Sequence, residues 1–503
     1  MTFFKKTKDV FMKLIAAVCL VFTSHAVALQ APAGPATTVA STPTRARAAN
    51  GAYISWREHI IDDEAIGGVS IRGGDGLAMA DLDKDGYLDV VSVYEADTTY
   101  DGADAGHIRI AFGTADPDKW VLTTLAEGKE AAAAEDVAIA DFNNDGYLDI
   151  VAACELAHLI YFQNPGSEIR TKQWQRVIPP VANNRGSFIR VFLADLDKDG
   201  KPEVVSPNKG AQGPRVTQAP TAISWFKING APLEGSSWVE NTLAKVVWPI
   251  NSQTVDLDKD GDIDIIGGSV AETRIIWFEN TGLAGAARFR ERPMRISGTS
   301  LTGTMRPANR RNDNDALVSG FNMDFVDLSG DGRLDIVTFE FARLVGRSVV
   351  WLEQPASPDG VWRLHEIGDY APDEVVGLVA ADIDGDGRMD VMTGGYSGGA
   401  RDADTDLSPN VVAGRLAWFQ NPGDPQKPWI RHDISRRRRG MFDQFIPRDM
   451  DGDGDMDFVS TRGNSSVYDG VFWLEQVRTA EPAASFRQAR PKESPEVPLP
   501  VGR

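Results

Sequence analysis

One acidic nonapeptide recurs seven times in this chain of 503 residues, each time followed by a short apolar run. The copies are DLDKDGYLD (Asp81, Asp83, Asp85, Asp89), DFNNDGYLD (Asp141, Asn143, Asp145, Asp149), DLDKDGKPE (Asp195, Asp197, Asp199, Glu203), DLDKDGDID (Asp256, Asp258, Asp260, Asp264), DLSGDGRLD (Asp327, Ser329, Asp331, Asp335), DIDGDGRMD (Asp382, Asp384, Asp386, Asp390) and DMDGDGDMD (Asp449, Asp451, Asp453, Asp457). Successive copies start 60, 54, 61, 71, 55 and 67 residues apart. A repeated unit of that length buries its apolar face only by stacking on its neighbours.

Oxygen-bearing side chains at positions 1, 3, 5 and 9, with glycine at 6, form the donor set of a hard cation. Calcium accepts six to eight oxygens at relaxed geometry, and glycine permits the sharp reversal. Position 7 varies freely (Tyr87, Tyr147, Lys201, Asp262, Arg333, Arg388, Asp455), as expected where only its carbonyl binds. An EF-hand needs a bidentate Glu at position 12 and flanking helices. Position 12 here is Ser92, Ala152, Ser206, Gly267, Thr338, Thr393 or Ser460, and the following residues (DVVS, DIVA, EVVS, DIIG, DIVT, DVMT, DFVS) read as strands. The EF-hand is excluded. Up to seven structural calcium ions are expected.

Two more repeats run in step. One reads IRIAFG, YFQNPG, WFKING, WFENTG, WLEQPA, WFQNPG and WLEQVR, and the other starts at Trp56, Trp120, Trp174, Trp238, Phe289, Trp362 and Trp429. With the residues preceding each acidic turn, every unit has four short strands. Such units in a radial array make an all-β, seven-bladed β-propeller of four-stranded antiparallel blades. The chain begins with an outermost-type strand at Trp56 and its last unit lacks one. Pairing the N-terminal strand with the last blade closes the ring and hides both edges.

These turns resemble the FG-GAP/VCBS repeats of the integrin α-subunit propeller and of many secreted microbial proteins. The resemblance covers about residues 53 to 476, although the FG and GAP signatures themselves are absent and every blade carries the acidic turn. It implies fold and calcium, and leaves function open. The stretch GRLAWFQNPG…WIRHDI also resembles the propeller of fungal aldos-2-ulose dehydratase. That family places histidines on inner strands, and this chain has none there.

Residues 1–28 read as a secretory signal, with Lys5, Lys6, Lys8 and Lys13 before an apolar run from Leu14 to Phe22 and a cleavage site at Ala26-Val-Ala28. Residues 29–50 read as a flexible linker, 51–478 as the propeller and 479–503 as a disordered tail. A secreted, extracellular protein is implied, or a periplasmic one if bacterial, with no membrane span after cleavage. Cys154 is then the single cysteine, so calcium replaces disulfides as the staple. The net charge of −20 is mostly ligand, since 28 of the 72 acidic residues sit in the seven turns. No nucleic acid is expected, and the chain is expected to be a monomer.

The innermost strand runs into each acidic turn. Its polar side chains three and five residues earlier (Asp136, Arg190, Asn251, Gln253, Asn322, Asp324 and Gln444) are expected to ring the channel at the mouth opposite the turns and bind ligand. Loops at that mouth carry Arg72, Arg185, Arg306, Arg310, Arg311, Arg343, Arg347, Arg401, Arg436, Arg437, Arg438, Arg439 and Arg462. Guanidinium suits carboxylate or sulfate, which favours an anionic glycan, with an extracellular protein as the other partner class. The function expected is a carbohydrate- or protein-binding adhesion module. The alternative is a polysaccharide lyase or dehydratase in which His107 and His158, with Tyr94, Tyr100 or Tyr396, abstract a proton. His59, His365 and His432 share the outer-strand repeat and read as structural.

Overall fold

The structure is a computed structural model that describes residues 37–96, 105–155, 158–210, 219–298, 318–342, 345–398, 404 and 406–500. The signal-like segment, Tyr100, Arg306, Arg310, Arg311, Arg343 and Arg401 lie outside the described residues. Among the described residues no helix is long and apolar enough to cross a membrane.

Seven antiparallel blades form the ring. Blade 1 runs outward through Gly74–Ala80, Asp89–Tyr94, His107–Phe112 and Val121–Glu127. The innermost strands of blades 2 to 7 are Ala134–Ala140, Phe192–Ala194, Pro249–Val255, Asp324–Val326, Val375–Ala381 and Phe445–Arg448. Each leads into its acidic turn and returns as the second strand. As expected, blade 7 is completed by Tyr53–Asp63, which pairs antiparallel with Gly470–Thr479.

The apolar residues form seven clusters, one at each seam between neighbouring blades. The seam between blades 1 and 2, for instance, joins Val91, Ile108 and Ile110 to Ile150, Ile160 and Phe162. Second and third strands are covered on both faces and therefore read as apolar runs (Asp89–Tyr94 is buried throughout). Burying one such side chain contributes about 1.5–3 kcal/mol. The repeated tryptophans lie in these seams, with Trp277, Trp351, Trp418 and Trp473 nearly fully buried.

Two expectations need correction at the ends of the propeller. Residues 37–50 and 479–500 are packed rather than flexible extensions. Val39, Ala46 and Ala48 are buried, Thr44 N–H donates to the Ala483 carbonyl at 2.8 Å, and Phe486–Arg487 adds a parallel strand outside Tyr53–Asp63. The C-terminal segment has ionic anchors: Arg462 meets Glu493 at 3.1 Å, Arg437 lies 3.9 Å from the same carboxylate, and Arg436 N–H donates to Glu496 at 3.1 Å. An alanine- and proline-rich composition hides these partners, because a few charged side chains do the anchoring.

Candidate functional site

Each acidic turn is organised by its own carboxylates. In the first, Gly86 N–H donates to Asp81 at 3.0 Å, Asp85 N–H to Asp83 at 3.2 Å and Tyr87 N–H to Asp85 at 2.9 Å. The position-6 glycines all hold positive φ, between 84° and 92°. Position 4 also sits in the left-handed region, including Lys84, Asn144, Lys198 and Lys259. One oxygen from each of Asp81, Asp83 and Asp85 falls within 4.8 Å of the others, and the same holds for Asp195, Asp197, Asp199 and for Asp256, Asp258, Asp260. In the sixth turn the converging set is Asp382, Asp384 and Asp390.

Position 9 faces inward and joins three chain segments. Asp89 accepts Leu82 N–H at 2.8 Å and Gly113 N–H at 2.9 Å, thereby tying the turn to the end of the third strand. Asp149, Asp264, Asp335, Asp390 and Asp457 repeat the pattern with Asn164, Asn280, Gln354, Asn421 and Gln476. Burial pushes these carboxyls up, Asp89 and Asp264 to about 7 and Asp390 to about 8. Basic groups offset charge elsewhere in the loops. Arg170 of blade 2 bonds Asp83 at 2.6 Å, Lys227 pairs with Asp197, and Arg333 and Arg388 turn back onto Asp331 and Asp386.

The residues Asn164, Asn280, Gln354 and Gln476 also carry a role that sequence reasoning missed. Their side-chain amides donate to Leu82, Leu196, Leu257 and Ile383 carbonyls, in the turn of the preceding blade, at 3.0, 2.8, 3.1 and 2.9 Å. The Asn or Gln that closes YFQN, WFEN and WLEQ was the available signal. The outer-strand histidines are structural, as expected: His59, His365 and His432 lie against Trp473, Trp351 and Trp418 at 4.1, 4.3 and 4.5 Å.

At the other mouth, Arg190, Asn251, Gln253, Asn322, Asp324 and Gln444 line one space of about 180 Å³ in the channel. Most are engaged across blade seams. Gln253 donates to Met323 O at 3.0 Å, Asp324 accepts Ala380 N–H at 2.7 Å, Asn322 donates to Asp443 O at 3.0 Å and Gln444 accepts Leu77 N–H at 2.9 Å. Asp136 accepts Val191 N–H at 3.0 Å and bonds Gln444 at 3.0 Å, while Arg190 pairs with Asp443. This ring therefore stitches inner strands together, some between neighbouring blades and others, through Asp136–Gln444, Asn322–Asp443 and Arg190–Asp443, between blades that are not neighbours.

Beside it lies a larger cavity of about 370 Å³, walled by Ile189, Trp248, Phe321, Val375, Tyr396 and Met441 and by the charged residues Asp75, Glu95, Glu135, Glu155, Glu374, Asp443, Arg190 and Lys209. Four of its lining residues, Asp75, Glu135, Ile250 and Val376, sit at register breaks where inner strands meet their partners. A bulge re-aims side chains that strict alternation would send elsewhere, which is why a period-2 reading overlooked them.

Among the described residues, several arginines expected at this mouth are engaged within the fold. Arg72 pairs with Glu64 at 2.6 Å, Arg185 with Glu240, Arg436 with Asp373 at 2.7 Å and Arg439 with Asp404 at 2.8 Å. Buried guanidinium recruits carboxylate partners from within the fold, so Arg436 and Arg439 are not presented to an anion, whereas Arg185 stays exposed. His107 and His158 line neither the cavity nor the channel. His158 Nε2 lies 2.9 Å from Glu130 O, and burial lowers the pKa of both rings.

Residues 81–152 and 141–206 match the FG-GAP-like repeat family. No curated protein matches the chain. Among solved structures it is similar to one described as "Crystal structure of BBS1N in complex with ARL6DN, soaked with lead". That likeness has 9% identity and a TM-score of 0.44, over 84% of this chain and 96% of the other. It is too remote to say anything of ligand or role. The chain thus carries FG-GAP-like repeats on a seven-bladed β-propeller.

Proposed function

We propose that the protein is a secreted, calcium-stabilised binding module that takes a carbohydrate or protein ligand at the channel mouth opposite the acidic turns. The carrying observation is the 370 Å³ cavity, where aromatic and aliphatic walls meet convergent carboxylates. Of the residues named for the lyase reading, Tyr396 lines this cavity, while both candidate histidines stand outside its lining.

Calcium fits the turns. Three carboxylates converge in several of them, and Asp256 Oδ1 and Asp258 Oδ1 are buried without a hydrogen-bond partner among the described residues. Bound calcium would relieve the repulsion within each loop and stabilise the folded ring. Chelation by EDTA is expected to lower the melting temperature by roughly 10 °C or more, since ion binding is linked to folding. An unchanged transition in scanning calorimetry would remove calcium from this reading.

Binding is tested with the full chain in millimolar calcium on a glycan array and against extracellular matrix proteins. Trp248→Ala and Phe321→Ala are expected to weaken any genuine ligand about tenfold, the range for losing a packed aromatic contact. Ligands indifferent to both changes would place binding elsewhere.

A further inference from the structure

The third acidic turn differs from the other six in the residue that stands beside it. Strand register puts Lys227 at that place on the third strand of blade 3, and Phe112, Gln163, Glu279, Glu353, Gln420 and Glu475 in the other blades. Lys227 is the one basic residue of the set. Its ammonium pairs with Asp197 and lies 3.0 Å from Asp199 and 4.0 Å from Glu203. It therefore reaches three of the four donor side chains of its turn. Two of those, Asp197 and Glu203, are only 2% exposed, so water screens the contact poorly.

Two neighbouring positions change together with Lys227. Position 9 is Glu203 where the other six turns have Asp. The longer side chain lets Oε2 accept Leu196 N–H at 2.8 Å while Oε1 turns to the ammonium. The residue after Lys227 is Ile228, where five blades carry the Asn or Gln whose backbone N–H meets the position-9 Asp.

The donors of the third turn are otherwise intact. Asp195, Asp197 and Asp199 converge as in other turns, and Asp197 Oδ1 has no hydrogen-bond partner among the described residues, as Asp258 Oδ1 has none in the fourth. What sets this turn apart is a cation already in place. An ammonium and a divalent ion on the same carboxylates repel each other and compete for the same lone pairs, while calcium needs six to eight oxygens. The third turn with Lys227 in position does not fit calcium. Arg170 at the first turn is a looser contact. It comes from the neighbouring blade, meets only Asp83 and Asp85, and has a side chain 37% exposed, so it can swing into solvent when an ion enters.

We propose, on the reading that the acidic turns bind calcium, that Lys227 is the resident cation of the third turn and closes it without calcium, so that at most six turns take the ion.

The test is calcium counting on the full chain, by equilibrium dialysis against millimolar calcium and atomic emission. Lys227→Gln, which installs the residue of blades 2 and 6, is expected to bind one calcium more per chain than the wild type. Lys227→Arg, which keeps the charge, is expected to leave the count unchanged. A crystal structure of the wild type grown in calcium gives a readout that needs no variant, with Lys227 expected on Asp197 and ions expected at other turns. An ion held by Asp195, Asp197 and Asp199 in the wild type, or an unchanged count in Lys227→Gln, would overturn the proposal. If the other turns are loaded in that case, calcium binding stands and only the role of Lys227 falls. No calcium at any turn of either chain would overturn both.

Discussion

Gly86 shows how a single backbone angle holds an acidic turn in shape. Its φ is 92°, and a Cβ built there would meet no heavy atom within 4 Å. Substitution by alanine therefore acts through conformational strain alone. Gly86→Ala is expected to destabilise the protein by about 1–2 kcal/mol, the penalty for a left-handed L-residue, as read by urea denaturation. The inward carboxylate at position 9 gives a pH dependence. Burial raises Asp390 to about 8 and Asp264 to about 7, above their unfolded values. The folded, calcium-free chain therefore holds protons that the unfolded chain releases. Its stability is expected to fall as pH rises from the ordinary carboxylate range through those raised values. Calcium needs the ionised form, so its affinity should strengthen from pH 6 to pH 8 with proton release on binding. Calorimetry in buffers of different ionisation enthalpy measures that release, and a pH-independent affinity would contradict it.

The strands show what periodicity can and cannot say. Seven acidic turns, each followed by a β-branched run, were enough to place the second strand of every blade, and the W-F and outer tryptophan repeats placed the third and fourth. The missing outer strand of the last unit predicted the closure by Tyr53–Asp63. What remained hidden depends on departures from alternation or on long-range charge. Asp75 and Glu135 reach the cavity because register breaks there, and Arg436 and Arg437 look like a solvated basic run until Asp373 and Glu58 are found beside them. The amide stitches belong to this scale as well. Asn280→Ala removes donations to Leu196 and Ile263 carbonyls and leaves Gly282 and Arg288 N–H groups without that acceptor. Leaving buried groups unsatisfied costs about 1–3 kcal/mol, and a loss of that size is expected in chemical denaturation. A change within error would mean that the seam is held by its apolar cluster alone.

Across the whole molecule, the two chain ends share one anchor. Glu58 lies on the closing strand, Arg437 and Arg462 on blades 6 and 7, and Glu493 on the C-terminal segment, all of them buried. Removing residues 488–503 would strip Glu493 from Arg462 and leave a guanidinium short of one partner. Breaking such a pair typically costs about 3–5 kcal/mol, so truncation is expected to lower the melting temperature more than any single turn variant. Arg462→Met should restore part of that loss in the truncated chain, because it removes the stranded charge.

The pairing of Tyr53 with Thr479 has a consequence for biogenesis. The closing strand leaves the ribosome first and must wait for a partner made more than four hundred positions later. Until then it is an uncovered edge, the kind that recruits the wrong neighbour. Assembly of the circle therefore waits until Gly470–Thr479 has been made, whatever the intrinsic speed of any blade.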